Sequence, residues 1–176
     1  MEEKKLRITN RQFAEVLVHW LFMFLTKKEI KKYAKSFGFR IMIWNRKDYR
    51  KISEELLILN MWMIVYTCEK VFESEDKRNE CLDIFHNLIY HRKIANNENS
   101  FRDWMISISS KYIEYSKAME TEHPSTPLWL VAKVFNQKLF GKFKEDLRFQ
   151  MQVCIYIELF IKHLGKTIPK YEIDKI

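Results

Sequence analysis

Glycine, proline and cysteine are all scarce, at 3 residues each in a chain of 176. So few turn-formers exclude a β-sandwich or barrel, whose many short strands each need turn chemistry. They also exclude collagen-like and low-complexity chains. Cys68, Cys81 and Cys154 stand far apart with no C-x-x-C pair, which argues against a disulfide framework and a structural zinc site. With three glycines in total there is no Gly-rich phosphate loop. No Cys-His or Ser-His-Asp grouping has a local signature either, so no cofactor is expected.

Long apolar runs are missing too. Residues 16–25 (VLVHWLFMFL), 56–66 (LLILNMWMIVY) and 153–161 (VCIYIELFI) stop near ten residues and are interrupted by His19, Asn60 and Glu158. A spanning helix needs about 20 apolar residues, so these runs read as core helices buried around most of their circumference. Residues 1–5 (MEEKK) are charged, unlike a secretory signal. A soluble, cytoplasmic protein with no transmembrane segment is the expectation.

What is present is helical punctuation. Thr9 or Asn10 can cap a first helix carrying Phe13, Val16, Leu17, Trp20, Leu21 and Phe24 at 3-4 spacing. The Thr26-Lys-Lys-Glu29 pattern is a capping box opening a short second helix with Ile30, Tyr33, Ala34 and Phe37 inward, and Gly38 stands where a left-handed C′ residue is wanted. Residues 39–44 (FRIMIW) read as an extended connector or a strand-like piece. A long helix follows a cap at 45–48 and runs to about Phe72. Ser74 caps the next, with Cys81, Leu82, Phe85, Leu88 and Ile89 on its apolar face, broken at Asn96-Asn97.

Ser100-Phe-Arg-Asp103 starts a further helix with the stripe Phe101, Trp104, Met105, Ile108, Tyr112, Tyr115 and Met119. Thr126-Pro127 fits N-cap and N1 of a helix that stops at Gly141, and Glu145-Asp146 leads the last one to about Leu164. The gap between these two is short, so they are expected to lie antiparallel and adjacent. The reading is an all-α, single-domain bundle of six or seven helices over 1–176, with a basic part, 1–51, packed on a helical body, 52–176.

Charge is unevenly placed. Residues 1–51 hold 14 Lys and Arg against 5 Asp and Glu, whereas 52–176 hold 17 against 18, so the whole net charge of +8 sits in the first third. Lys27, Lys31 and Lys35 recur at i, i+4 and i+8, with Lys28 and Lys32 one step round. Arg40, Arg46, Lys47 and Arg50 add to them, and Lys51 follows. Such a face is most simply a solvated one. Its functional readings are contact with an acidic partner or an anionic surface, or with phosphate backbones through a helix-turn-helix-like segment at 26–51. The chemistry of the segment opposes the latter: residues 40–44 start a helix poorly, and Lys47 falls where an apolar residue is wanted.

Metal chemistry in a bundle uses Glu-x-x-His pairs on facing helices. Glu120-Thr-Glu-His123 has that spacing but ends at Pro124, and Asp83-Ile-Phe-His86 carries an aspartate and is placed outward or at the rim by the helical wheel. A metal-dependent enzyme built on these is the third reading. Glu158 lies beside a polar stripe and is expected to pair with Lys162 on the surface. His19, between apolar neighbours, is expected as a bonded core histidine. Cys68 and Cys154 read as packing residues. Ile106 and Ile113 lie opposite the stripe of their helix, among serines. That makes the helix central and packed on both sides, the favoured arrangement, or else a face for self-association. The leading functional expectation is a non-enzymatic interaction module whose basic face meets an acidic partner.

Overall fold

The computed structural model describes residues 5–38, 46–93 and 100–174. In chain order these form β1 (Leu6–Thr9), α1 (Asn10–Phe24), α2 (Lys27–Ser36), α3 (Arg46–Val71), α4 (Glu75–Lys93), α5 (Phe101–Glu120), α6 (Pro127–Phe140), α7 (Leu147–Thr167), a 3-10 turn (Ile168–Lys170) and β2 (Tyr171–Asp174). The protein is an all-α bundle with seven helices among the described residues and one small two-stranded sheet. The expected connector at 39–44, the cap at Asn45 and the break at Asn96-Asn97 lie outside the described residues.

Local chemistry explains where the helices begin and end. Thr9 caps α1 by accepting from the Gln12 N–H at 3.1 Å, while Gln12 Oε1 accepts from the Thr9 N–H at 3.0 Å. Thr26 accepts from the Glu29 N–H, Ser100 from the Asp103 N–H, Thr126 from the Leu128 N–H and Asp146 from the Phe149 N–H. Each satisfies a backbone donor that a helix start leaves without an intrahelical acceptor. At the other ends Gly38 (φ +86°) and Gly141 (φ +74°) adopt the left-handed conformation that only glycine takes without strain.

α3 is the central helix. Its residues Leu59, Asn60, Met61, Trp62, Met63 and Ile64 are all buried in succession, and it touches α1, α2, α4, α5, α6 and α7. Of the three apolar runs, only 56–66 is therefore buried around most of its circumference. In the other two, His19, Met23, Ile155, Glu158 and Leu159 face solvent, so α1 and α7 are covered on one side. His19 accordingly is not a core histidine. Its apolar neighbours in sequence point around the helix at 100° steps: Leu17, Val18 and Leu21 are turned inward, and His19 is not.

α1 packs chiefly on α4, where Asn10 donates to the Glu80 carboxylate. α6 and α7 are adjacent, as the short connection requires, and Phe135 and Phe140 both meet Phe149. The turn between them is held by buried Asn136, which donates to the Lys144 carbonyl and accepts from the Lys144 N–H, both at 2.9 Å. β1 and β2 pair in parallel, Leu6 opposite Tyr171 and Ile8 opposite Ile173, and bring the two ends of the described chain together. Tyr171 continues this closure by packing on Phe13 and Trp20 of α1.

Candidate functional site

The short helix α2 and its C-cap Phe37 lay Ile30, Ala34 and the Phe37 ring into the bundle and leave Lys27, Lys28, Lys31, Lys32 and Lys35 exposed. Its inner edge is aromatic: Tyr33 meets Tyr156 at 4.7 Å and Phe37 meets Phe149 at 5.6 Å, both on α7. Burial and the nearby Glu29 carboxylate push the Tyr33 phenol up to about 12, so it stays neutral beneath the lysines. Lys32 pairs with Glu29 at 3.4 Å. Lys27, Lys28, Lys31 and Lys35 have no carboxylate within ion-pair distance among the described residues.

The second basic group is less open. Arg50 is exposed but holds Glu54 at 2.7 Å, a contact that raises its guanidinium pKa further. Arg40 and the side chains of Arg46 and Lys47 lie outside the described residues, as does the start, at 40–45, of the recognition helix expected after a turn at Gly38. The helix that follows is α3, on which Arg50 and Lys51 are exposed, Ile52 is buried and the middle is the buried axis of the bundle.

On α5, Ile106 is 61% exposed and Ile113 is 54% exposed. The favoured placement of this helix as a central one is thus overturned: it buries Trp104, Ile108, Tyr115 and Ala118 on one side and presents the other outward. With Phe101, Met105, Ser109 and Ser110, the two isoleucines line a shallow apolar depression.

The carboxylate and histidine pairs do not converge. Asp83 is exposed, but His86, expected outward or at the rim, is buried. Its Nδ1 lies 2.7 Å from the Leu82 carbonyl and its Nε2 3.3 Å from the Tyr112 hydroxyl. A neutral ring satisfies both contacts, Nδ1–H donating and Nε2 accepting from Tyr112. Desolvation lowers its pKa, against the opposing pull of the Leu82 bond and the Asp83 charge. The wheel placed His86 100° from Phe85, and α5 is the neighbour that covers that side. Glu120 is exposed, and His123 accepts from the Ser125 N–H at 3.2 Å with its ring stacked on Trp129. Among the described residues no three His, Cys, Asp or Glu side chains gather around a common point.

Burial raises the thiols of Cys68, Cys81 (to about 12) and Cys154 (to about 11), which makes them packing groups and poor nucleophiles. A cleft of about 400 Å³ between α3 and α5 is lined by Trp62, Tyr66, Tyr112, Glu69, Lys117 and Glu120 among others, with the Trp62 indole donating to Ser116 Oγ at 3.1 Å. His86 touches its Tyr112 wall from behind and does not line it.

One surface escaped the sequence reading. Leu147, Met151, Ile155 and Leu159 of α7 are 67%, 51%, 45% and 61% exposed, a ridge at i, i+4, i+8 and i+12 opposite the buried Phe149, Val153, Tyr156, Phe160 and Leu164. The four-residue spacing was the available signal, masked because 153–161 reads as one apolar run. Glu158 is exposed as expected, but no ion pair joins it to Lys162. Among the described residues no helix is long and apolar enough to cross a membrane. Compared with known protein families, curated proteins and solved structures, the chain matches none.

Proposed function

We propose that this chain is a non-enzymatic helical interaction module whose basic face on α2 contacts an acidic partner. The observation that carries the reading is the set of four exposed lysines, Lys27, Lys28, Lys31 and Lys35, with no acidic side chain of the described fold opposite them. Positive charge left without an internal partner raises the local concentration of acidic ligands and speeds their association. The three free thiols suit a reducing compartment, and the proposal places the module in the cytoplasm.

Binding of a labelled poly-glutamate peptide, followed by fluorescence anisotropy, tests this. The parent is expected to bind with an affinity that falls as salt rises, and K27E/K31E/K35E to bind about tenfold or more weakly. Equal binding by parent and triple variant overturns the proposal. Tighter, sequence-dependent binding of a labelled DNA duplex by the parent replaces it with the nucleic-acid alternative through 26–51.

A second surface favours self-association. Among the described residues the depression around Ile106 and Ile113 contains Ser109 and Ser110 and one charged side chain, Arg102, so a second copy can cover it with little like-charge opposition. Sedimentation at rising concentration is expected to reveal a dimer that I106E/I113E dissociates. A strict monomer removes this surface from the reading and leaves the basic face untouched.

A further inference from the structure

The geometry points to the exposed ridge of α7 as a docking site for an acidic amphipathic helix, an inference that rests on the acidic-partner reading and specifies the chemistry of that partner. Leu147, Met151, Ile155 and Leu159 form a row about 18 Å long at the rise of an α-helix. Rows spaced by four residues are the ridges that interdigitate with a second helix. An exposed row of four large aliphatic side chains is more than the scattered apolar residues that surfaces normally carry.

Charge identifies the occupant. The ridge is accompanied on its own helix by exposed Arg148, Lys162 and Lys166 against one acid, Glu158, and none of these four side chains is in an ion pair among the described residues. α2 meets the buried face of α7 through Tyr33 on Tyr156 and Phe37 on Phe149, and Phe24 of α1 meets Phe160. Tyr156 and Phe149 belong to the buried face of α7, so the cations that stand beside the ridge are those of α7 itself, Arg148, Lys162 and Lys166. A helix with leucine-like residues on one face and carboxylates on its edges meets the apolar row and the α7 cations at once.

A second copy fits less well. An isologous contact through this face doubles three basic side chains and answers them with Glu158 alone, in a chain of net charge +8. An anionic lipid surface fits less well too, because it is flat, whereas a row at four-residue spacing offers the ridge that interdigitates with a second helix.

The test uses the full chain and a fluorescent peptide of about 18 residues, five helical turns, with leucines at i, i+3, i+4 and i+7 and glutamates elsewhere. A scrambled peptide of the same composition and phosphatidylserine-containing vesicles are run beside it. The parent is expected to bind the amphipathic peptide about tenfold more tightly than the scrambled one. M151S/I155S, which changes two exposed side chains and is checked by circular dichroism for an unchanged fold, is expected to lose that preference. Amide exchange with bound peptide is expected to slow along α7.

Equal affinity for the two peptides, or undiminished preference in M151S/I155S, overturns the docking site. If K27E/K31E/K35E then loses both peptides equally, the basic-face reading stands without the ridge. If that triple variant loses neither while M151S/I155S loses the preference, the ridge stands and the basic-face reading falls. Vesicle binding that depends on Met151 and Ile155, without peptide binding, overturns the proposal in favour of a lipid surface.

Discussion

The Tyr156 hydroxyl donates to Asn60 Oδ1 at 2.6 Å within the core, joining α7 to the middle of α3. Asn60 is the one polar residue in the apolar run 56–66, and it is fully buried. A polar group there costs stability unless it is bonded. The bond also sets how α7 lies along α3, since sliding either helix by one turn leaves both groups without a partner. Burial raises the Tyr156 pKa well above its ordinary value of 10.0, so the phenol is a donor at neutral pH.

Removing that donor is expected to cost about 1–3 kcal/mol, the penalty for an acceptor left bare in the core. Tyr156→Phe should therefore lower the urea midpoint without changing the slope of the transition. The double variant N60L/Y156F, which removes both partners and roughly conserves volume, should recover much of the loss. A single variant as stable as the parent contradicts the assignment.

His86 makes stability depend on pH. Its folded pKa lies below the ordinary value of 6.5, so the unfolded chain binds the extra proton first. Stability conferred by the neutral ring is present above pH 6.5 and is lost as pH falls from there through the folded pKa. Protonation also turns Nε2 into a donor facing the Tyr112 hydroxyl, which must then reverse its role. His86→Gln is expected to flatten the dependence of the melting temperature on pH below 6.5. The parent slope persisting in that variant assigns the effect to another group.

The pair Glu55–Lys111, at 2.8 Å, connects α3 to α5 with both side chains largely shielded. Glu55 Oε2 has no hydrogen-bond partner among the described residues, so Lys111 is the main compensation for its charge. Lys111→Met should cost about 2–3 kcal/mol by stranding a carboxylate, with the lysine's partial exposure holding the loss below that of a fully buried pair. E55Q/K111M should restore much of it. Chemical denaturation of the three proteins distinguishes this from a surface pair, whose removal moves stability by less than about 1 kcal/mol.

Features that depend on a few neighbouring residues were legible in the chain. The caps at Thr9, Thr26, Ser100 and Thr126 and the left-handed Gly38 and Gly141 stand where their chemistry puts them, because a cap bond spans two or three residues. The parallel pairing of β1 with β2 was not legible. Each strand is four residues long, and the partners Leu6 and Tyr171 are separated by nearly the whole chain, so neither carries a pattern of its own. His86 and His19 were placed the wrong way round for a related reason: a wheel orders the faces of one helix, but the neighbouring helix decides which face is covered.

Composition, capping and apolar spacing by themselves determined that this protein is an all-α bundle with its excess charge in the first 51 residues, because helix formation is governed by contacts three and four residues apart. Tertiary packing alone decided that α3 and not α5 is the axis, that His86 is enclosed by Tyr112, and that the α7 ridge stays in water. Those outcomes depend on which helices meet, and the meeting surfaces come from residues tens of positions apart whose total burial, not local preference, is minimised in free energy.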